Sequence, residues 1–180
     1  MGLFSKKTTS KDEKIIQLEE HLSSVSISIN DEQIEKQIQL IGLTVEDLAV
    51  LRSGFSVIEP HIPAIVDKFY DNLAKHEHLV DIISEHSTFE RLKGSLRKHL
   101  NFTLSGSSID DHYIKTLDRI AFAHVKIGLN PQWYLATFHH VYEEVMNAFE
   151  MGTSSLQEWK TYSKALTKCL NLEQQIVIAS

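Results

Sequence analysis

Helix start and stop signals follow one another closely from residue 30 onwards, and they constrain the fold more than any other feature of the chain. Capping residues and first-turn prolines predict where helices begin, and glycines at positions 42, 106, 128 and 152 predict where four of them end. No stretch alternates apolar and polar residues with the period of a strand. The sequence therefore predicts an all-α fold. Helix starts are predicted near Asn30, Thr44, Pro63, Leu79, Ser87, Asp110 or Asp111, Asn130 and Ser155.

The composition indicates one domain and excludes several kinds of partner. A chain of 180 residues has the size of a single domain, and its formal net charge of -6 argues against binding to nucleic acid. No apolar run is long enough to span a bilayer, so we expect no membrane insertion. The lone Cys169 provides no disulfide framework, which fits a cytoplasmic protein. Residues 1–29 are rich in Lys, Ser and Glu and are predicted as a mobile tail, and residues 30–180 as the domain.

One histidine, His124, lies on the apolar stripe of a predicted helix that ends at Gly128. Leu117, Ile120 and Ala121 precede it at helical spacing, so all four share a face. A buried imidazole needs a polar partner, because an unpaired one costs free energy. This pattern alone favours a core histidine with an ordinary hydrogen bond over a ligand of heme iron.

The last two predicted helices are apolar on more than one side, which requires burial on more than one side. They are either central helices of a monomer or the halves of a four-helix bundle across a dimer axis, and we favour the dimer. The apolar residues are Trp133, Tyr134, Leu135, Phe138, Val141, Tyr142, Val145, Met146, Phe149, Leu156, Trp159, Tyr162, Leu166, Cys169, Leu170, Leu172 and Ile176.

Five segments, at residues 64–73, 81–87, 91–99, 124–134 and 170–175, closely resemble the sensor domain of globin-coupled sensors, the family that includes heme-based aerotaxis transducers of bacilli. The resemblance implies a globin fold with an additional N-terminal helix, heme b and a homodimer built on the last two helices. It also implies dioxygen sensing coupled to a downstream signalling domain, which lies outside this chain. Carbon monoxide, nitric oxide and cyanide are further heme ligands that it implies.

The same resemblance assigns roles to individual residues. His124 matches the proximal iron ligand, and its second ring nitrogen is expected to donate to a carbonyl. Tyr70 matches a distal tyrosine that donates a hydrogen bond to dioxygen. Ser95 stands where the aerotaxis transducer has threonine, and it either contacts the ligand or bonds back to its own helix. His86 matches a histidine at a heme propionate. The expected heme pocket comprises Phe69, His86, Leu92, Leu96, His99, Ile120, Tyr134 and Phe138.

Three other functions compete with an oxygen sensor. A di-iron site needs Glu-x-x-His motifs, which do not occur, and His140 with Glu144 provides only two ligands for zinc. An enzymatic globin such as a nitric oxide dioxygenase needs an electron source, and no reductase domain is recognisable. A heme-free globin module in stress signalling has no need of both His124 and Tyr70. We therefore predict a sensor rather than an enzyme.

Overall fold

The computed structural model describes residues 18–153 and 155–179, and within them the fold is all-α, as predicted. A single isolated bridge, between Ile27 and Ile109, is the one β-type pairing in these ranges. None of the helices there is both long enough and apolar enough to cross a membrane. The helices are α1 (Glu32–Ile41), α2 (Val45–Ile58), α3 (Ile62–Leu73), α4 (Glu77–His86), α5 (Phe89–Leu104), α6 (Asp111–Lys126), α7 (Pro131–Gly152) and α8 (Leu156–Ala179), with a 3-10 turn at Glu59–His61 between α2 and α3.

Local side-chain chemistry explains most helix boundaries. Thr44 and Asp47 form a reciprocal capping box at the start of α2, and Asn130 caps α7. The expected cap of α1 is off by one residue: the Asp31 carboxylate accepts hydrogen bonds from two backbone N–H groups, whereas the Asn30 amide donates to Asp111. A carboxylate is the better cap because it also complements the helix dipole. Similarly, α5 is capped by Thr88 rather than by Ser87.

The segment before α1 packs on the domain. Residues 18–23 are helical, and Val25 is buried. The backbone N–H of Ser28 donates to the carbonyl of Ile109 at 2.8 Å, which ties this segment to the start of α6. Residues 24–28 are therefore hydrogen-bonded to the rest of the domain, whereas the predicted mobility of the tail stays a prediction; residues 1–17 lie outside the described residues.

Helix α8 occupies the centre of the fold and contacts α1, α2, α6 and α7. Burial on several sides explains why its apolar residues cover more than one face. On α7 and α8, most of the apolar residues noted in the sequence are buried within one protomer, so the monomer interpretation accounts for them. The large apolar side chains that stay at least one-third exposed on these helices are Trp133, Leu135, Met151, Leu156 and Ile178.

The crossing of α2 over α7 and α8 requires a residue without a side chain. A Cβ atom on Gly54 would lie 2.6 Å from Cε2 of Tyr162 and 3.0 Å from Cε2 of Phe149. Those two rings stack with centroids 3.8 Å apart and leave no space between the helices.

We therefore expect Gly54→Ala to lower the free energy of unfolding by about 1–3 kcal/mol, because the added methyl must displace packed rings. Gly94→Ala is the matched control: Gly94 is also inside a helix, but a methyl group added there would point into open space, with no neighbouring atom within 4 Å. Alanine there should leave stability unchanged or raise it by up to about 1 kcal/mol. Urea denaturation measures both, and equal effects of the two substitutions would contradict the packing argument.

Candidate functional site

A mainly apolar cavity of about 590 Å³ lies among α3, α4, α5, α6 and α7. Its volume falls within the roughly 300–1,000 Å³ that is usual for pockets of small molecules and cofactors. Every residue that the sequence predicted for the site lines this one cavity, although the residues come from five helices. These residues are Phe69, Tyr70, His86, Leu92, Ser95, Leu96, His99, Ile120, His124, Tyr134 and Phe138.

Helical periodicity places two groups of these residues on cavity walls. On α5, Leu92, Ser95, Leu96 and His99 recur every three or four residues, so they share one face. On α6, Ile120 and His124 share a face in the same way. The two helices meet where the rings of Phe102 and Tyr113 lie 5.3 Å apart, and beyond that contact the cavity lies between them.

His124 presents an imidazole that is neutral and incompletely bonded. Its Nδ1 atom is buried and has no hydrogen-bond partner among the described residues, so the expected bond to a carbonyl is not formed there. Burial lowers the pKa of His124, and the nearby His99 lowers it further. The Tyr134 ring packs against it at 5.1 Å between centroids. A neutral imidazole in an apolar wall is the form of histidine that binds metal ions.

Tyr70 provides a free hydrogen-bond donor in the same cavity. Its side chain is buried, and its ring is held edge-on by Phe69 at 5.0 Å and by Phe89 at 5.9 Å. The hydroxyl makes no hydrogen bond within the described part of the chain. Burial raises the pKa of Tyr70, so the phenol keeps its proton at neutral pH. A polar molecule in the cavity can therefore accept a hydrogen bond from it.

Ser95 lines the cavity, but its proton is used elsewhere. The Ser95 Oγ atom donates to the carbonyl of Arg91 one turn earlier at 3.1 Å. This is the back-bonded arrangement that the sequence left open as an alternative to ligand contact. In this state Ser95 offers a cavity ligand only its lone pairs.

Several cationic side chains lie at the rim of the cavity. Of the residues at this rim, the sequence analysis identified only His86. His86 is exposed at the cavity edge, and its Nδ1 lies 3.0 Å from the carbonyl of Ile82. Arg91, Arg119 and Lys126 also line the cavity and are exposed. The spacing of Arg119 and Lys126, seven residues apart on the face of α6 that carries Ala123, was an available signal.

The sequence analysis placed His99 in the pocket but missed its buried polar partner behind the cavity wall. Nε2 of His99 lies 3.0 Å from Oε2 of Glu173, a residue of α8 with no exposed surface. Burial by itself lowers the pKa of His99, but the charge of Glu173 and this hydrogen bond outweigh it and raise the pKa. A charged residue one turn from Cys169 in an apolar stripe was the signal in the sequence.

A metal site built from protein side chains alone finds no support. Within residues 18–153 and 155–179, no group of three or more His, Cys, Asp or Glu side chains is arranged to hold an ion. The weak zinc pair of His140 and Glu144 is also engaged otherwise, because Glu144 forms an ion pair with Lys68 at 2.7 Å. An ion at His124 would have to come with other ligands of its own.

Comparison with known proteins agrees with this geometry. The sequence profile of the protoglobin family matches residues 30–180. The chain belongs to the protoglobin family. This protoglobin is 24% identical over 168 residues to the heme-based aerotactic transducer HemAT of Halobacterium salinarum, a match that covers 88% of this chain and 34% of that protein. It spans about a third of the length of that curated relative.

A solved structure is also similar. The globin domain of the Geobacter sulfurreducens globin-coupled sensor superposes with a TM-score of 0.75 at 25% sequence identity. The superposition covers 81% of this chain and 95% of that domain. The globin fold and the membership in the globin-coupled sensor family that the sequence predicted are thereby confirmed.

Proposed function

We propose that this protoglobin is a heme-based oxygen-sensing domain that binds heme b in the cavity, with His124 as the protein ligand of the iron. The observation that carries the proposal is the neutral imidazole of His124 on the wall of a large apolar cavity, where no described protein group is hydrogen-bonded to the ring. The names of the two relatives, a heme-based aerotactic transducer and a globin-coupled sensor, support the same function.

The residues present suit heme at both its apolar and its charged parts. Leu92, Leu96, Ile120 and Phe138 would cover the apolar macrocycle. His86 and the exposed cations Arg91, Arg119 and Lys126 would attract the two propionates, since opposite charges at a cavity mouth reinforce binding. Ferrous heme, when bound, supplies an axial position at which small gases bind reversibly.

Tyr70 would provide selectivity among gases. Its unpartnered, protonated hydroxyl would donate a hydrogen bond to bound dioxygen, which is the better acceptor among these gases. Carbon monoxide is a much weaker hydrogen-bond acceptor. We propose nitric oxide and cyanide as further ligands of the site. Leu92 and Leu96 exclude water from the same space, which strengthens the hydrogen bond.

Replacement of His124 tests the ligand assignment. We expect His124→Ala to lose stable heme, because alanine offers no atom that can bind the iron. His139→Ala is the matched control, since His139 is exposed on α7 and does not line the cavity. Heme per chain and the visible spectrum of the reduced protein measure the result. Unchanged heme content and coordination in His124→Ala would refute the assignment.

Replacement of Tyr70 tests the hydrogen bond. Tyr70→Phe should speed dioxygen release by roughly tenfold or more, the effect of losing a hydrogen bond of about 1.4 kcal/mol, and should change carbon monoxide release much less. Tyr134→Phe removes a hydroxyl from the cavity wall beside His124, so it should affect both gases by similar factors. Laser photolysis and stopped-flow mixing give the rates. Equal acceleration of both gases by Tyr70→Phe would rule out a selective hydrogen bond.

A signalling role fits this chain better than a catalytic one. Both relatives are sensors by name, whereas an enzymatic globin such as a nitric oxide dioxygenase needs an electron donor for steady turnover. We propose that a downstream signalling domain in the same polypeptide, or a separate partner, receives the signal.

We also propose a homodimer through α7 and α8. Met151, Leu156 and Ile178 remain exposed on these helices and would lose water contact at such an interface.

Sedimentation velocity at micromolar concentration should give the mass of two chains. Ile178→Glu should shift the equilibrium towards one chain, because dimer formation would then bury the glutamate charge. Leu40→Glu, at an exposed leucine of α1, is the control. A monomer across the concentration range would contradict the dimer.

A further inference from the structure

The carboxylate of Glu173 joins three helices at one buried point. Its Oε1 atom accepts hydrogen bonds from Thr103 Oγ1 of α5 at 2.6 Å and from Tyr113 Oη of α6 at 2.7 Å. Its Oε2 atom is bonded to His99 Nε2 of α5 at 3.0 Å. We call these four residues the Glu173 network. Burial of a carboxylate is costly unless donors surround it, so the network holds α5 and α6 in one arrangement against α8.

Only one member of the network reaches the cavity. His99 lines the cavity, whereas Thr103, Tyr113 and Glu173 do not. The His99 side chain is 13% exposed, and its Nδ1 atom is buried without a partner among the described residues. His99 is thus bonded to α8 through one ring nitrogen, and the same side chain lines the cavity.

We propose that His99 couples the occupancy of the cavity to α8 by way of Glu173. The coupling rests on the proposed function, because it assumes that heme and a gas occupy the cavity. A change in the cavity that moves the His99 ring must lengthen or redirect its bond to Glu173. Because the carboxylate is fully buried, it cannot replace that bond with water, and α8 adjusts instead.

The position of the network suits transmission. Helix α8 contacts α1, α2, α6 and α7. A shift of α8 would therefore change its packing against four other helices. Small shifts at a packed interface are resolved into discrete arrangements rather than gradual deformation. His99 acts here as a positioning residue, since the gas itself is held elsewhere in the cavity.

The test compares two substitutions that each remove one bond to the same carboxylate. His99→Leu removes the part-buried bond that comes from the cavity wall, and Thr103→Val removes a buried bond to the same carboxylate from a residue that does not line the cavity. His99→Asn, too short to reach Glu173, carries the same expectation as His99→Leu and replaces it if that variant fails to fold. Hydrogen–deuterium exchange of peptides within residues 166–179 is measured in the reduced, heme-loaded chain with and without carbon monoxide.

We expect carbon monoxide to change amide exchange in α8 by at least about threefold in the unaltered chain and in Thr103→Val. In His99→Leu and His99→Asn the two exchange rates should become equal, although the visible spectra still show bound heme and bound gas. The proposal is overturned if the His99 variants keep the change, if Thr103→Val loses it equally, or if the unaltered chain shows none. A chain that takes up no heme contradicts the proposed function as well, whereas normal spectra with any of those results contradict the coupling alone.

Discussion

The partial burial of the His124 imidazole in an apolar wall is the constraint on which the site depends. Desolvation keeps the ring neutral, and it also makes an unbonded ring nitrogen costly. In the described part of the chain no protein group is hydrogen-bonded to this ring, which lines the cavity. The apolar walls and the cationic rim are suitable surroundings for a group that binds the imidazole.

The domain contains an apolar cavity and, behind the α5 wall of that cavity, the buried polar Glu173 network. On the cavity side, leucine and aromatic side chains surround Tyr70, whose hydroxyl is a free donor for a bound gas. Behind the α5 wall, a buried carboxylate gathers donors from α5 and α6. His99 lines the cavity and is also part of the Glu173 network, so in our proposal it connects ligand binding to the position of α8.

The apolar pattern of α7 and α8 has more than one structural explanation. Apolar residues on several faces of α7 and α8 suggested a second protomer, yet one protomer buries most of them around the central α8. A pattern of hydrophobicity reports that a surface is buried and not what covers it. The dimer therefore rests on the family and on a few exposed side chains.

The sequence by itself determined the helices, and with the family resemblance it identified the cavity residues, because both follow from short-range patterns. Caps such as Thr44 act within one turn, and the spacing of Leu92, Ser95, Leu96 and His99 defines a helix face. Tertiary structure decided which side chains meet across helices. The bond of His99 to Glu173 joins residues 74 positions apart, and the pairing of Ser28 with Ile109 brought residues 18–29 into the domain. Such contacts depend on how helices cross, and no local period encodes a crossing.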